Sequence, residues 1–159
     1  MALRPDLDHM LWHHTKEEFA CEKLFGKKPH IKGAIAGEAG SRIWAIWTHR
    51  YYGDPNSTAS GNTLYILRLV VEKEMIESND KAEGREISYD VEQHKKQVDY
   101  LRAVIKTAQA EAAEWRLSSV NLWDPSSLVQ EWIDKSSVRH CKIDREDESI
   151  ASHRALVEC

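Results

Sequence analysis

Two apolar runs, RIWAIWT at 42–48 and TLYILRLVVE at 63–72, decide the fold of this chain. Both are short and rich in β-branched and aromatic residues, a composition typical of strands in the interior of a sheet. The segment 51–62 between them is dense in glycine, proline, asparagine and serine, which form turns. Two strands joined by a long polar loop are most simply an antiparallel pair, so we predict one here.

Helical periodicity appears on both sides of this strand pair. Apolar side chains recur at steps of three, four and seven across 90–116, which predicts the longest helix of the chain, with Asp90 as its N-cap. An earlier helix near the N-terminus should be capped by Asp8 and end at Gly26. Two segments without periodicity are predicted to be loops, namely 27–41 and, as a flexible excursion, 73–90.

The C-terminal part of the chain alternates strand and helix. A strand at 118–123 precedes a helix with Asp124 as its N-cap and Pro125 in its first turn, and strands follow at 138–143 and from about Ile150. A strand–helix–strand unit implies a parallel pair joined by a right-handed crossover. The predicted order α-β-β-α-β-α-β-β therefore describes an α/β (α+β) fold, in which helices pack on a mixed sheet within a single domain over 1–159.

The composition excludes several classes of protein. Apolar residues make up 42% of the chain and charged residues 30%, ordinary values for a globular protein, and the net charge is −4. Nucleic-acid binding would require a basic stripe, and the sequence has none. No apolar run approaches the roughly 20 residues of a membrane span, and no secretory signal is visible. We therefore expect a soluble, cytoplasmic protein that binds neither nucleic acid nor membranes.

Polar and aromatic side chains follow two of the predicted strands, where loops often carry function. The first group, within 49–54, combines an imidazole, two phenols and a carboxylate. The second group, at 123–124, follows a strand whose C-terminal end opens onto the sheet. A structural alternative stays open for both, because tyrosines also cover sheet edges and aspartates also begin turns and helices. The candidates for substrate contact are His49, Tyr51, Tyr52, Asp54, Trp123 and Asp124.

Metal-binding and nucleophilic patterns are weak in this sequence. His9 and His13 have the spacing of two ligands on one helical face, but no third ligand and no HExxH motif accompany them. His140 and Cys141 are neighbours on a predicted strand, so their side chains point to opposite faces and cannot act together. We therefore predict neither a metal site nor a cysteine nucleophile.

Several stretches of the chain resemble the C-terminal region of fungal lysine N-acetyltransferase-like proteins, a family with the GNAT fold. They are DHMLWHHTKEEF, IKGAIAG, RIWAIWTHRYYGDP, GNTLYILRLVVE, AEAAEWRL, VNLWDPSSLVQEWI and EDESIAS, and the resemblance spans about residues 5–152. It implies the second half of a GNAT fold, preceded in the family by a GNAT domain of its own. It also implies transfer of an acetyl group from acetyl-CoA to the side-chain amine of lysine.

The resemblance also indicates where GNAT chemistry would lie. GNAT enzymes hold the cofactor diphosphate on a Gln/Arg-x-x-Gly-x-Gly/Ala loop at a helix N-terminus, but the equivalent segment here, 73–90, is long and acidic and has the single glycine Gly84 beside Arg85. Their later helix carries a tyrosine that protonates the leaving thiolate, and Trp132 stands there instead, although an indole N–H is not a usable acid. We therefore predict no catalytic residue and no cofactor bound by this chain alone, with acetyl-CoA serving the intact family member.

Three functions are consistent with the sequence. The first is an accessory, substrate-side domain that packs on the family's N-terminal GNAT domain and helps to wall the site of an amine substrate. The second is a non-catalytic interaction module whose aromatic loop serves a protein partner. The third is a small, self-sufficient acetyl-CoA-dependent N-acetyltransferase with an atypical cofactor loop. The expected partners are accordingly the N-terminal GNAT domain and a small-molecule amine.

Overall fold

The computed structural model describes residues 6–57, 60–72, 91–144 and 153–158, so the predicted flexible loop 73–90 and its cap Asp90 lie outside it. No helix in these ranges combines the length and the apolar character needed to cross a lipid bilayer. The described residues form three helices and six strands. In chain order these are α1 (Leu7–Phe25), β1 (Gly33–Ala36), β2 (Ile43–Arg50), β3 (Thr63–Val71), α2 (Val91–Glu114), β4 (Ser119–Trp123), α3 (Ser127–Lys135), β5 (His140–Asp144) and β6 (His153–Glu158).

The strands form one sheet in the order β1-β2-β3-β4-β6-β5. β3 and β4 are parallel, and the other neighbouring pairs are antiparallel. The predicted mixed α/β fold, the antiparallel pair β2–β3 and the parallel crossover are therefore confirmed. Both crossovers, β3–α2–β4 and β4–α3–β5, advance across the sheet in the same direction. Right-handed connections consequently place α2 and α3 on the same face of the sheet.

The hydrophobic core lies between this face and the helices. Trp47 and Leu64 contribute from the strands, Leu101 and Ile105 from α2, and Trp132 from α3, and all five are almost completely buried. They follow the two-residue period of a strand and the three-to-four-residue period of a helix, which turn one side of each element inward. Burying a side chain of this kind contributes about 1.5–3 kcal/mol, so this core fixes the helices on the sheet.

The prediction of a loop over 27–41 is wrong, because Gly33–Ala36 forms the edge strand β1. Gly33 faces Ile46 in the register of the sheet. A Cβ atom added to Gly33 would lie only 2.4 Å from the carbonyl oxygen of Ala45. Glycine therefore serves here as a residue that lets two strands approach closely, and not as a turn former.

Two predicted helix caps are also wrong. α1 is capped by Asp6 and not by Asp8, because the Asp6 carboxylate accepts a backbone N–H of the first turn at 2.9 Å. α3 is capped by Ser126, whose hydroxyl accepts the N–H three residues on at 3.3 Å, and not by Asp124. Gly26 ends α1 in the left-handed conformation, as its position predicts.

A β-bulge interrupts β3. The register between β2 and β3 shifts between Ile46 and Trp47, which leaves Leu67 as an extra residue on β3. The parallel pairing of β3 with β4 ends at Ile66 and Leu122, just before this bulge, although β3 continues for several residues. Within the described part of the chain, the second half of β3 therefore has a strand partner only on its β2 side.

Candidate functional site

His49 lies in the interior between two helices, with only 2% of its surface exposed. Its Nδ1 atom contacts Oε1 of Glu17 on α1, and its Nε2 atom lies 3.0 Å from Oε1 of Glu111 on α2. Lys32 adds a cation, because its Nζ atom lies 3.3 Å from Oε2 of Glu17. We refer to Glu17, Lys32, His49 and Glu111 as the His49 network.

Acidic and basic side chains alternate in the His49 network. Each ring nitrogen of His49 lies against a carboxyl group, and the Glu17 carboxyl group also lies beside the Lys32 ammonium. Buried charges lose their hydration, and only close pairing of opposite charges offsets that cost. The His49 network thus joins α1, β2 and α2 in the interior, and this burial separates the predicted substrate contact His49 from solvent.

α1 also completes the edge of β2 where β1 ends. The backbone N–H of Trp47 donates to the carbonyl oxygen of Lys32 at 2.9 Å, at the end of the strand pair. Beyond it, His14 Nε2 lies 3.1 Å from the Trp47 carbonyl oxygen, and Glu17 accepts the backbone N–H of His49 at 2.7 Å. Side chains of a helix therefore satisfy edge groups that a strand would otherwise pair.

Tyr51 and Cys21 lie next to the His49 network. The Tyr51 hydroxyl donates to the Trp115 carbonyl oxygen at 2.8 Å, and its ring centre lies 5.5 Å from that of Phe25. Burial raises the pKa of the Tyr51 phenol far above its usual value and raises the pKa of the Cys21 thiol to about 12. Both groups therefore keep their protons near neutral pH, and Cys21 is not a nucleophile.

Tyr52 and Asp54 lie in the exposed turn after β2. Oδ1 of Asp54 accepts the backbone N–H of Asn56 at 2.9 Å, so this carboxylate stabilises the turn. Asn62, at the start of β3, accepts the backbone N–H groups of Tyr52 and Gly53 at 2.7 and 3.1 Å and fixes the other end of the loop. The Tyr52 side chain itself is 63% exposed and remains accessible to a partner.

Trp123 and Asp124 stand at the end of β4. The Trp123 ring centre lies 5.9 Å from that of Tyr65 on β3. The Arg50 guanidinium in turn lies 5.6 Å from the Tyr65 ring centre and 5.7 Å from that of Tyr52. Asp124 is exposed and has a φ of 43°, the left-handed conformation that asparagine and aspartate tolerate in turns.

The structure therefore separates the predicted site residues. His49 and Tyr51 lie under the helices, whereas Tyr52 and Trp123 are linked along the opposite face of the sheet. The alternation of side chains along a strand could have assigned residues to faces, but only the register shows which of them meet. The contacting residues that the sequence did not indicate are Glu17, Lys32, Arg50, Tyr65 and Glu111.

His9 and His13 contact each other on α1. Their Nε2 atoms lie 3.0 Å apart, and their rings meet edge to face. Burial, followed by the neighbouring His9, lowers the pKa of His13 from its ordinary value. Within the described ranges, no group of three or more His, Cys, Asp or Glu side chains is placed to hold a metal ion.

One protein family matches almost the whole of this chain. The sequence model of the LYC1 GNAT-like C-terminal domain matches residues 1–158. The chain belongs to this family. No curated protein and no solved structure matches it. Membership in the LYC1 GNAT-like family shows an acetyltransferase-like domain, and GNAT-like proteins generally use acetyl-CoA.

Two residues of this LYC1 GNAT-like domain differ from the GNAT pattern that the resemblance implies. Trp132, which the resemblance places at the tyrosine acid, is 1% exposed, and its Nε1 atom donates to Nδ1 of His94 at 3.3 Å. Glu92 places a carboxylate in the first turn of α2, where its charge would repel a diphosphate. The segment 73–90, with the predicted cofactor loop, lies outside the described residues.

Proposed function

We propose that the chain is the accessory, substrate-side domain of a lysine N-acetyltransferase-like protein and does not catalyse acetyl transfer alone. Family membership supports this, because the family is described as a C-terminal domain and therefore has chain before it. In this proposal the preceding GNAT domain binds acetyl-CoA, and the accessory domain packs on it and helps to wall the site of the lysine amine. A fungal origin and a cytoplasmic location complete the proposal.

The observation that carries this proposal is the position of Trp132. A GNAT enzyme needs a proton donor for the thiolate of CoA, and the tyrosine at this position would supply it. The indole of Trp132 is buried in the core and donates its only N–H to His94. Trp132 is therefore a well-packed core residue at this position and cannot act as an acid.

A second candidate function is a protein-interaction module without a catalytic partner domain. Tyr52 favours it, because this large side chain is exposed in an ordered turn held by Asn62. Exposed aromatic residues on fixed loops are common anchors of protein interfaces. The two candidates differ in one respect, since only the accessory domain should change the rate of lysine acetylation.

Two measurements separate the candidates. Calorimetric titration of the 159-residue chain with acetyl-CoA should give no binding at millimolar ligand, and micromolar binding would instead support a self-sufficient acetyltransferase. Lysine acetylation should then be measured with the family's N-terminal GNAT domain, with and without this chain added. A rate increase supports the accessory function, whereas an unchanged rate leaves the interaction module.

A further inference from the structure

The face of the sheet opposite α2 and α3 carries aromatic rings and guanidinium groups. Of the described helices, only α1 approaches this face, at its edge, where the His13 carbonyl oxygen lies 3.5 Å from Thr48 Oγ1. We name it the aromatic–arginine face after its six half-buried residues, Trp44, Ile46, Arg50, Tyr65, Arg68 and Trp123. Thr48, Thr63, Val70 and Asn121 share this face and are buried.

Both arginines of this face stack on aromatic rings. The Arg68 guanidinium on β3 lies 5.5 Å from the ring centre of Trp44 on β2. The Arg50 guanidinium on β2 lies 5.6 Å from the ring centre of Tyr65 on β3. Stacking fixes the plane of a guanidinium and leaves its N–H edge directed outward, so these arginines are oriented before any partner arrives.

No carboxylate of the described residues pairs with Arg50 or Arg68, although Arg42 on the same sheet pairs with Glu72 at 3.0 Å. A guanidinium offers five N–H donors in a planar fork that matches a carboxylate. The chain carries a net charge of −4, so two cations on one sheet face that no described carboxylate pairs are a local reversal of its charge. Such a face attracts a surface that presents carboxylates.

The composition of the face fits an interface between domains. Antiparallel sheets that face water usually carry polar side chains there, whereas this face carries tryptophan, tyrosine and arginine, the residues enriched at the centres of interfaces.

We propose that a carboxylate-bearing surface of the family's N-terminal GNAT domain docks on the aromatic–arginine face. The proposal rests on the accessory function proposed above and identifies the surface through which that function acts. Trp44 and Tyr65 supply the apolar contact, and Arg50 and Arg68 bind carboxylates at its two ends. Because part of the attraction is between charges, the affinity falls as the salt concentration rises.

The test measures binding of the 159-residue chain to the separately produced N-terminal GNAT domain by calorimetry, at low and at high salt. Arg68→Glu and Trp44→Ala should each weaken binding at least about tenfold. The matched control is a second aromatic–cation pair on the outward side of α1, where Lys16 lies 5.3 Å from the ring centre of Trp12. Lys16→Glu and Trp12→Ala should change the affinity less than about twofold. Thermal unfolding is measured for every variant to check that the variant is folded.

The outcomes distinguish the two proposals. If the unchanged chain does not bind the GNAT domain, both the accessory function and the docking face are wrong. If it binds, but Arg68→Glu and Trp44→Ala bind equally well, the accessory function stands and the assignment of this face is wrong. Single-stranded nucleic acid is the other class of partner that binds arginine and aromatic rings, and a thymidine 20-mer tests it. If the chain binds this 20-mer and Arg68→Glu abolishes the binding, the proposal of a protein partner is overturned.

Discussion

The two faces of the sheet use the same kinds of residue for different purposes. On the covered face, Trp47 is fully buried, and its Nε1 atom donates to the Ile31 carbonyl oxygen at 3.1 Å. On the opposite face, Trp44, three residues earlier on the same strand, is half-buried and stacks under Arg68. Histidine and arginine differ in the same way, since His49 is buried between two carboxyl groups and Arg50 is half-buried over the rings of Tyr52 and Tyr65. The elements packed on a face, more than residue type, decide which side chains form the core and which can meet a partner.

The largest expected effect comes from removing the centre of the His49 network. His49→Ala leaves the buried Glu17 and Glu111 without the imidazole that both contact, and removing one partner of a buried acid–base pair costs about 3–5 kcal/mol. Urea unfolding at pH 7 measures the loss of free energy. His30→Ala, at an exposed position, is the matched control and should change stability by less than about 0.5 kcal/mol. A loss below about 1 kcal/mol for His49→Ala would show that the network does not stabilise the fold.

The two tryptophans of β2 allow a direct test of the comparison between the faces. Trp47→Phe removes a buried indole N–H and leaves a small cavity, so we expect a loss of roughly 1–3 kcal/mol. Trp44→Phe, on the half-buried face, should cost less than about 1 kcal/mol, because water already reaches that ring. Both variants are compared by urea unfolding under the same conditions. Equal losses would mean that the aromatic–arginine face is as well covered as the core.

The sequence predicts the elements of this fold better than their contacts. The runs at 42–48 and 63–72 are short and rich in β-branched and aromatic residues, a composition typical of strands, so the pair β2–β3 could be predicted. β1 could not be predicted, because glycine is common in turns. Only the Ala45 carbonyl oxygen, 2.4 Å from the place of a Cβ atom on Gly33, shows why glycine is needed in a strand here. The His49 network could not be predicted either. Its members lie far apart in the chain, and only the packing of α1 and α2 brings Glu17 and Glu111 to the same imidazole.

The covered face should also account for part of the response of stability to alkaline pH. The Cys21 thiol has a pKa of about 12 in the folded chain, against an ordinary value of 9.0. Below pH 9 the thiol is protonated in both states, so its contribution to stability is complete. Between pH 9 and pH 12 only the unfolded chain releases the proton, and the free energy of unfolding falls by about 1.4 kcal/mol per pH unit.

Comparison with Cys21→Ala isolates the contribution of this thiol from that of other groups that titrate at alkaline pH. From pH 8 to pH 10, unfolding in urea should show a loss about 1.4 kcal/mol greater for the unchanged chain than for Cys21→Ala. The exposed Cys141 provides the control for the loss of a thiol, since Cys141→Ala should change the free energy of unfolding at pH 8 by less than about 0.5 kcal/mol. Parallel pH profiles for the unchanged chain and Cys21→Ala would contradict the burial of the thiol.

The smallest expected effect concerns the stacking of Arg68 on Trp44. A double-mutant cycle with Trp44→Ala and Arg68→Ala should give a coupling free energy of about 0.5–1 kcal/mol, because a guanidinium over a partly exposed ring is only weakly desolvated. The same cycle on Trp12 and Lys16, an exposed pair on α1, should give a smaller value, since ammonium is more strongly hydrated and this ring is more exposed. A coupling near zero at Trp44 and Arg68 would mean that the guanidinium is not oriented by the ring. The arginine would then have to be ordered during docking, and the aromatic–arginine face would bind its partner more weakly than a pre-formed surface.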